Sequence, residues 1–204
     1  MGVLAAVRPE MARPMKNARA SVEYEYALSR ATAHHARSKT YSGKLMRPHA
    51  DALTAIIAKY SVESILDYGC GKGDQYRWVD PKTGKTLEEL WGIEVRKFDP
   101  AYPPYADEPE GEFDLVICTH VLGGIPDRDL LWVVPRLYEH ARKAVFIAEK
   151  IGDIKKTIHG SKRRSRNSMQ WISTIAPHRR AGIETHLCLL YRTPFGKFSG
   201  TFRL

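Results

Sequence analysis

Three glycines spaced two residues apart form the most informative chemical pattern in this 204-residue chain. They are Gly69, Gly71 and Gly73, and they directly follow a short apolar run at residues 64–68. That run predicts a β-strand, which the first glycine ends. Because glycine has no side chain, it adopts positive φ angles and lets a ligand approach the backbone closely. The pattern therefore predicts a ligand-binding loop at the end of the strand.

The spacing of the glycines and the charge beside them restrict the class of ligand. The dinucleotide fingerprint G-x-G-x-x-G needs a third glycine where this chain has Asp74, so nicotinamide and flavin dinucleotides are disfavoured. Asp67 stands at the end of the strand, where its negative charge would repel a pyrophosphate. The same charge suits a ligand that carries an ammonium and a sulfonium group, as S-adenosylmethionine does.

Alternating strand and helix patterns surround this loop. Apolar residues at helical spacing predict helices, and short β-branched runs predict strands between them. A turn at residues 194–196 predicts that the last two strands form a hairpin. These patterns predict an α/β, Rossmann-like three-layer sandwich whose sheet is mostly parallel, with a C-terminal antiparallel hairpin. The predicted helices are 22–37, 47–59, 127–142 (capped by Asp127, with Leu131 on its buried face) and 168–176, and the predicted strands are 64–68, 93–98, 113–119, 144–148, 183–192 and 197–203.

The length and composition predict one domain. Residues 1–20 have no clear period and predict a poorly ordered tail, and residues 21–204 predict a single domain with N-terminal helices at 21–60 and a core at 61–204. No apolar run approaches the roughly 20 residues that span a bilayer, and the N-terminal apolar run is too short for a signal peptide. The three cysteines are widely separated, which fits neither a disulfide framework nor a metal site. We therefore expect a cytoplasmic protein without a bound metal.

The glycine loop also carries a resemblance to a known family. Class I methyltransferases have the motif apolar-apolar-Asp-x-Gly-x-Gly-x-Gly, and residues 65–73 match it throughout. The resemblance extends over residues 64–148, and it is strongest to small phage-borne and bacterial members that share the runs DYGCGKG, DPAY and VLxxIP. It implies an S-adenosylmethionine-dependent methyltransferase. It further implies that the cofactor is bound at Asp67, Tyr68, Gly69, Cys70, Gly71 and Gly73.

Two further acidic residues are carried over by position from this resemblance. Asp99 at the end of the second strand is similar to the family's acidic residue that accepts hydrogen bonds from the ribose diol. Glu94 is the competing candidate, but it lies at the start of that strand. Asp107 is a candidate partner for the adenine amine, and its alternative interpretation is a turn residue.

The residues after the third strand are those that the resemblance places near the transferable methyl. Thr119 and His120 are cofactor-contact candidates there. His120 is also the candidate catalytic base, because an imidazole titrates near neutral pH, while its alternative role is packing or hydrogen bonding. Similar sequences often have Glu-His where this chain has Gly123 and Gly124, so an acid of the motif is absent.

The acceptor is less well defined by the sequence. The net charge is +9, and residues 150–204 contain twelve Lys and Arg but only two Asp and Glu. This imbalance predicts a small or nucleotide-like, anionic acceptor, or else a solvated basic face. RNA or DNA contacted by Arg163, Arg164 and Arg166 is one alternative, and a non-catalytic cofactor-binding subunit is another. Residues 155–166, Trp171 and residues 24–41 are the candidates for a wall or lid over the acceptor, although Trp171 also fits a core position.

Overall fold

A computed structural model describes residues 20–37, 41–151, 157–158, 161–162, 166–193 and 196–204. It contains one six-stranded sheet and a separate two-stranded ribbon. The predicted N-terminal tail and most of the basic segment before residue 166 lie outside the described residues. The strands are β1 (Ile65–Tyr68), β2 (Val95–Phe98), β3 (Phe113–Thr119), β4 (Ala141–Ile151), β5 (Thr157–Ile158), β6 (Ser161–Lys162), β7 (Glu184–Thr193) and β8 (Gly196–Arg203).

The strand order of the main sheet is β2-β1-β3-β4-β7-β8, and all neighbours are parallel except the last pair. The predicted mostly parallel sheet with a C-terminal antiparallel hairpin is therefore confirmed. The chain leaves β1 on one side to form β2 and returns on the other side to form β3. This reversal of direction opens a crevice at the carboxyl ends of β1 and β3, where sheets of this kind bind ligands.

The sheet is buried on both faces. Along β4, Val145 and Ile147 belong to one core, and Phe146 and Ala148 belong to the other. The first core lies against α4 (Asp127–Glu139) and α5 (Ser168–Ile175), and the second lies against α2 (Ala50–Tyr60) and α3 (Leu87–Trp91). Apolar strands covered by helices on both faces form the three layers that the sequence predicts.

The helix boundaries follow local chemistry that the periodicity did not capture. The first helix, α1 (Val22–Arg37), has the predicted bounds. The second was predicted from residue 47, but Pro48 lies in a 3₁₀ turn (Lys44–His49) and α2 begins only after it. Helix α3 was not predicted, although Thr86 and Glu89 form a capping box before it, which is a signal that can be read from sequence.

Helix α4 differs from its prediction at both ends. Its capping position is occupied by Pro126, and Asp127 is the first helical residue. The predicted end at residue 142 was wrong, because the chain becomes extended at Ala141 to pair with Phe113 of β3. Leu131 is 67% exposed, so it does not belong to the buried face. Among the helices that the structure describes, none combines the length and apolar character needed to cross a bilayer.

Candidate functional site

A cavity of about 880 Å³ lies at the carboxyl ends of β1 and β3. Pockets for small molecules and cofactors are usually of roughly 300–1,000 Å³. One side of the cavity is the glycine loop, and the other is α1 together with the 3₁₀ turn after β3. Seven of the ten residues predicted to bind the cofactor line it: Tyr68, Gly69, Cys70, Gly71, Asp99, Thr119 and His120.

The glycine loop bends back over the end of β2. The backbone N–H groups of Gly69 and Cys70 both donate to the carbonyl oxygen of Phe98, at 2.7 and 3.0 Å. This shared acceptor turns the chain sharply away from the sheet, and Gly69 adopts a φ of 86° in the turn. The loop backbone therefore forms part of the cavity surface.

Gly71 allows a close approach that no other residue type would permit. Its φ is 62°, and a Cβ atom built on it would lie 2.2 Å from the carbonyl oxygen of Tyr41. That carbonyl accepts a hydrogen bond from the backbone N–H of Lys72 at 2.7 Å. The absence of a side chain at position 71 thus lets the segment after α1 pack directly on the loop.

Asp99 joins the loop to the end of β2. One carboxylate oxygen accepts the backbone N–H of Gly71 at 2.8 Å, and the other accepts that of Ala101 at 2.9 Å. A carboxylate has further lone pairs for ligand hydroxyl groups. Asp99 lines the cavity, whereas Glu94 is exposed before β2 and does not line it. Of these two candidates, the structure brings only Asp99 to the cavity.

Asp67 lies below the loop and does not line the cavity. The pleat directs its side chain to the same face as Ile65, where it is 1% exposed. One carboxylate oxygen accepts hydrogen bonds from Gln75 Nε2 and the Tyr76 hydroxyl, both at 2.9 Å. Burial raises the pKa of Asp67 to about 6, against the opposing effect of these hydrogen bonds. Asp67 is therefore buried beneath the glycine loop and separated from the cavity.

Two other predicted residues also lie outside the cavity lining. Gly73 begins a 3₁₀ turn, and a Cβ atom there would meet the ring of Tyr105 at 3.1 Å. Asp107 is exposed, and its backbone carbonyl accepts a hydrogen bond from Arg96. The position of Asp107 fits the turn interpretation better than an adenine contact.

Tyr68 and Cys70 contribute neutral groups to the site. The Tyr68 ring packs edge-on against Phe98, with ring centroids 4.8 Å apart. Burial raises the pKa of the Tyr68 hydroxyl and of the Cys70 thiol above their usual values. A thiol that stays protonated is a poor nucleophile, so Cys70 contributes a packing surface to the cavity.

His120 directly follows β3, and its backbone has a left-handed conformation. Its φ is 60°, and its backbone N–H donates to the carbonyl oxygen of Ala148 at 2.7 Å. Its side chain is 8% exposed and lines the cavity, with the His49 ring centroid 5.9 Å away. A non-glycine residue with positive φ at the end of a strand is often found at functional sites.

A buried carboxylate lies beside the turn in which the motif acid is absent. Glu149 of β4 is 2% exposed, and its Oε1 accepts the backbone N–H of Gly123 at 3.3 Å. A Cβ atom at Gly123 would lie 3.1 Å from Glu149 Oε2. No sequence pattern indicates this pairing, because the two residues are 26 positions apart.

Helix α1 forms the outer wall of the cavity, as residues 24–41 were predicted to do. Eight residues of α1 between Val22 and His35, and the five residues 41–45 after it, line the cavity. Ile125, Pro126 and Val133 line it from the opposite side. Ile125 and Pro126 belong to residues 120–126, which the resemblance placed near the transferable methyl, whereas Val133 was predicted only for the buried face of its helix. Burial raises the pKa of Tyr24 to about 12, and the nearby charges of Glu108 and Asp129 add to this effect.

Of the other predicted wall residues, Trp171 and Arg166 do not line the cavity, and most of residues 155–166 lie outside the described part of the chain. Trp171 is 1% exposed in the core, and its Nε1 donates to the carbonyl oxygen of Lys150 at 3.4 Å. Arg166 is 6% exposed, pairs with Asp127 and lies over the Trp171 ring at 4.8 Å. This burial leaves Arg166 poorly placed for the phosphate contact that the sequence suggested. Arg163 and Arg164 lie outside the described residues.

Comparison with known proteins gives one match. The family model described as a methyltransferase domain matches residues 23–147, which extend from α1 into β4. Neither the curated proteins nor the solved structures gave a match. The matched region contains the glycine loop, Asp99, His120 and the wall of α1, while the basic C-terminal third lies beyond it. On this match, and with the Rossmann-like sheet typical of class I enzymes, the chain belongs to the methyltransferase domain family.

Proposed function

We propose that this protein transfers a methyl group from S-adenosylmethionine to a small, uncharged acceptor bound under α1. The observation that carries this proposal is the hydrogen bond between the Gly71 N–H and the Asp99 carboxylate at the edge of a cavity of about 880 Å³. It joins a glycine loop without the dinucleotide spacing to an acidic residue that can hold a ribose diol.

The residues present fit this cofactor. The Asp99 carboxylate would accept the ribose hydroxyls, and the backbone of Gly69 and Gly71 would pack against the amino acid part. The buried charge of Asp67 beneath the loop favours a cation above it. When bound, the cofactor supplies a methyl group on a sulfonium, which is activated for in-line displacement.

The protein's own task is then to align the acceptor and to exclude water. Helix α1 covers the cavity, and Thr119 and His120 lie where β3 ends beside the loop. His120 would accept the proton that an acceptor hydroxyl or amine loses. Its position in the cavity lining supports this role.

The cavity lining favours an uncharged acceptor over the anionic one that the sequence suggested. Within the described chain, the lining contains two acidic side chains, Glu23 and Asp99, and one lysine, Lys44. Other parts of the lining are apolar, and they include Leu28, Ile125 and Val133. A negatively charged acceptor would lose hydration there, and among the described lining residues Lys44 would have to offset both that loss and the repulsion from Glu23 and Asp99.

The described basic residues of the C-terminal third offer little support for a nucleic acid acceptor. Arg180 donates to the Tyr138 carbonyl at 2.9 Å, and Arg203 pairs with Glu184 at 2.6 Å. Both arginines lie at the amino ends of the parallel strands, because Arg180 precedes β7 and Arg203 ends the antiparallel β8. The cavity is at the other end of the sheet, at the carboxyl ends of the parallel strands.

Calorimetry with S-adenosylmethionine tests the cofactor site. We expect Asp99→Ala to weaken binding by about 1–3 kcal/mol, the amount typical of a lost charged hydrogen bond. Asp107→Ala is the matched control, because Asp107 is exposed and does not line the cavity, and it should leave the affinity unchanged. Equal effects of the two substitutions would contradict the assignment of Asp99.

Transfer of a tritiated methyl group tests the activity and the acceptor class. Two acceptor panels are compared, one of uncharged phenols and heteroaromatic amines and one of nucleotides and short RNA. We expect S-adenosylhomocysteine to accumulate with members of the first panel. Turnover confined to the second panel would overturn the acceptor proposal but not the cofactor proposal. Cofactor binding without turnover on any acceptor would favour a non-catalytic subunit.

A further inference from the structure

His35, in the last turns of α1, has a buried polar side chain, and packing does not explain why a polar residue is found there. Its ring stacks on Tyr41, with centroids 4.6 Å apart and an interplanar angle of 29°, and the Tyr102 ring is 5.2 Å away. The side chain is 6% exposed, so it is more than nine-tenths buried. It lines the same cavity as Gly71 and Asp99.

One of the two ring nitrogens of His35 has an unused hydrogen-bonding capacity in the described part of the chain. Its Nδ1 is buried and has no hydrogen-bond partner there. Burial lowers the pKa of His35, an effect that the nearby charge of Asp99 only partly opposes, so the ring is neutral at pH 7. A neutral imidazole has one donor and one acceptor, and leaving a buried polar group unpaired destabilises the folded protein.

Packing alone would favour an apolar ring at this position. A phenylalanine would keep the stack on Tyr41 and would avoid the unpaired nitrogen. The imidazole instead lines the same cavity as the Asp99 carboxylate and lies within reach of its charge. The two oxygens of that carboxylate accept backbone N–H groups and can accept more hydrogen bonds. A ribose hydroxyl both donates and accepts, so it can bond to a carboxylate and to an imidazole at the same time.

We propose that His35 hydrogen-bonds the ribose of the cofactor together with Asp99, and so ties α1 to the glycine loop through the bound ligand. This inference rests on the proposed function. It adds a binding residue from outside the sheet and the glycine loop. A ligand held in this way would stabilise α1 over the cavity. It would act together with the contact between the Tyr41 carbonyl, in the segment after α1, and the glycine loop.

Calorimetry with S-adenosylhomocysteine tests this inference with variants of matched size. His35→Phe keeps the ring and removes both nitrogens, and we expect it to weaken binding at least tenfold. His34→Phe is the control, because the His34 ring also packs on Tyr41, at 5.3 Å, but does not line the cavity. Its affinity should stay within twofold of the wild type. Thermal unfolding of each variant measures any loss of folding.

Two conservative variants separate hydrogen bonding from shape. His35→Asn places an amide near the position of Nδ1, and His35→Gln places one near Nε2. We expect one of the two to recover at least a third of the wild-type affinity. If neither amide variant binds more tightly than His35→Phe, a hydrogen-bonding group at this position does not restore affinity, and the proposed hydrogen bond is overturned.

The outcomes distinguish this inference from the function on which it rests. If the wild type binds S-adenosylhomocysteine and His35→Phe binds it within twofold, the role of His35 is refuted and the cofactor site stands. If the wild type binds neither S-adenosylhomocysteine nor S-adenosylmethionine, the proposed function fails, and the role of His35 fails with it.

Discussion

Asp67 shows that a residue of the family motif can lie outside the cavity beside which the motif is found. The residue type and its place before the glycines suggested a direct ligand contact, but the carboxylate is buried between Gln75 and Tyr76. A charge in that position costs folding free energy, because burial favours the protonated form. Its raised pKa of about 6 is the sign of that cost.

Substitution of Asp67 by Asn should therefore change how stability depends on pH. The pKa is about 6 in the folded protein and 3.8 for an unperturbed aspartate, so the wild type loses stability through this group as the pH rises from about 4 to about 6. Asp67→Asn removes this loss, which is of the order of 3 kcal/mol. Urea unfolding at pH 4, 5, 6 and 7 measures it. A parallel pH profile for the two proteins would contradict the raised pKa.

The element with the clearest tertiary role is α1, whose start is fixed to α4. The backbone N–H and the hydroxyl of Ser21 donate to the Asp129 carboxylate at 2.9 and 2.5 Å, and Trp132 Nε1 donates to it at 3.0 Å. The Ser21 hydroxyl also accepts the N–H of Tyr24 at 3.0 Å, as a helix cap does. These contacts hold α1 across the cavity, although Ser21 and Asp129 are 108 positions apart in the sequence.

Removing the Asp129 carboxylate should release this end of α1. Asp129→Ala leaves buried donors unpaired, so we expect a loss of about 1–3 kcal/mol in the free energy of unfolding at pH 7. Asp51→Ala is the control, since Asp51 also lies in the first turn of a helix but is exposed. The loss should exceed that of the control by at least about 1 kcal/mol, measured by urea unfolding.

The same variant has an expected pH dependence. Burial alone would raise the pKa of Asp129, but the hydrogen bonds from Ser21 and Trp132 outweigh it and lower the pKa. The stability that this group provides is therefore present above about pH 4 and is lost as the pH falls through the folded pKa. A difference between Asp129→Ala and wild type that persists undiminished at low pH would contradict this account.

In the whole molecule, the cavity is formed jointly by the carboxyl ends of the parallel strands and by α1. The glycine loop, Asp99 and His120 come from the carboxyl ends of three parallel strands, while the opposite wall comes from the helix that precedes the sheet. The family match begins at residue 23, so it includes this wall. A bound ligand should therefore order both parts together.

Hydrogen exchange measured with and without S-adenosylhomocysteine tests that coupling. We expect slower exchange in α1 and in residues 69–73 when the ligand is bound, because both line or support the cavity. The strands β7 and β8 should not change at the Glu184 and Arg203 end, which lies at the opposite edge of the sheet. Protection of the glycine loop without protection of α1 would contradict a shared cavity.

The sequence by itself determined the features that depend on neighbouring residues. The glycine spacing, the Asp67 position, the alternating strand and helix patterns and the terminal hairpin are local signals, and they were enough for the fold class and the loop. The three-layer arrangement follows from the same patterns, because apolar strands need cover on both faces.

Tertiary structure alone decided which of these residues reach the cavity. The pleat turned Asp67 into the core, burial paired Arg166 with Asp127, and Glu149 came to lie beside Gly123 from another strand. The anchor between Ser21 and Asp129 joins residues that no short pattern connects. Contacts of this kind depend on how elements pack across the sheet, and the direction of each side chain is fixed only when that packing is complete.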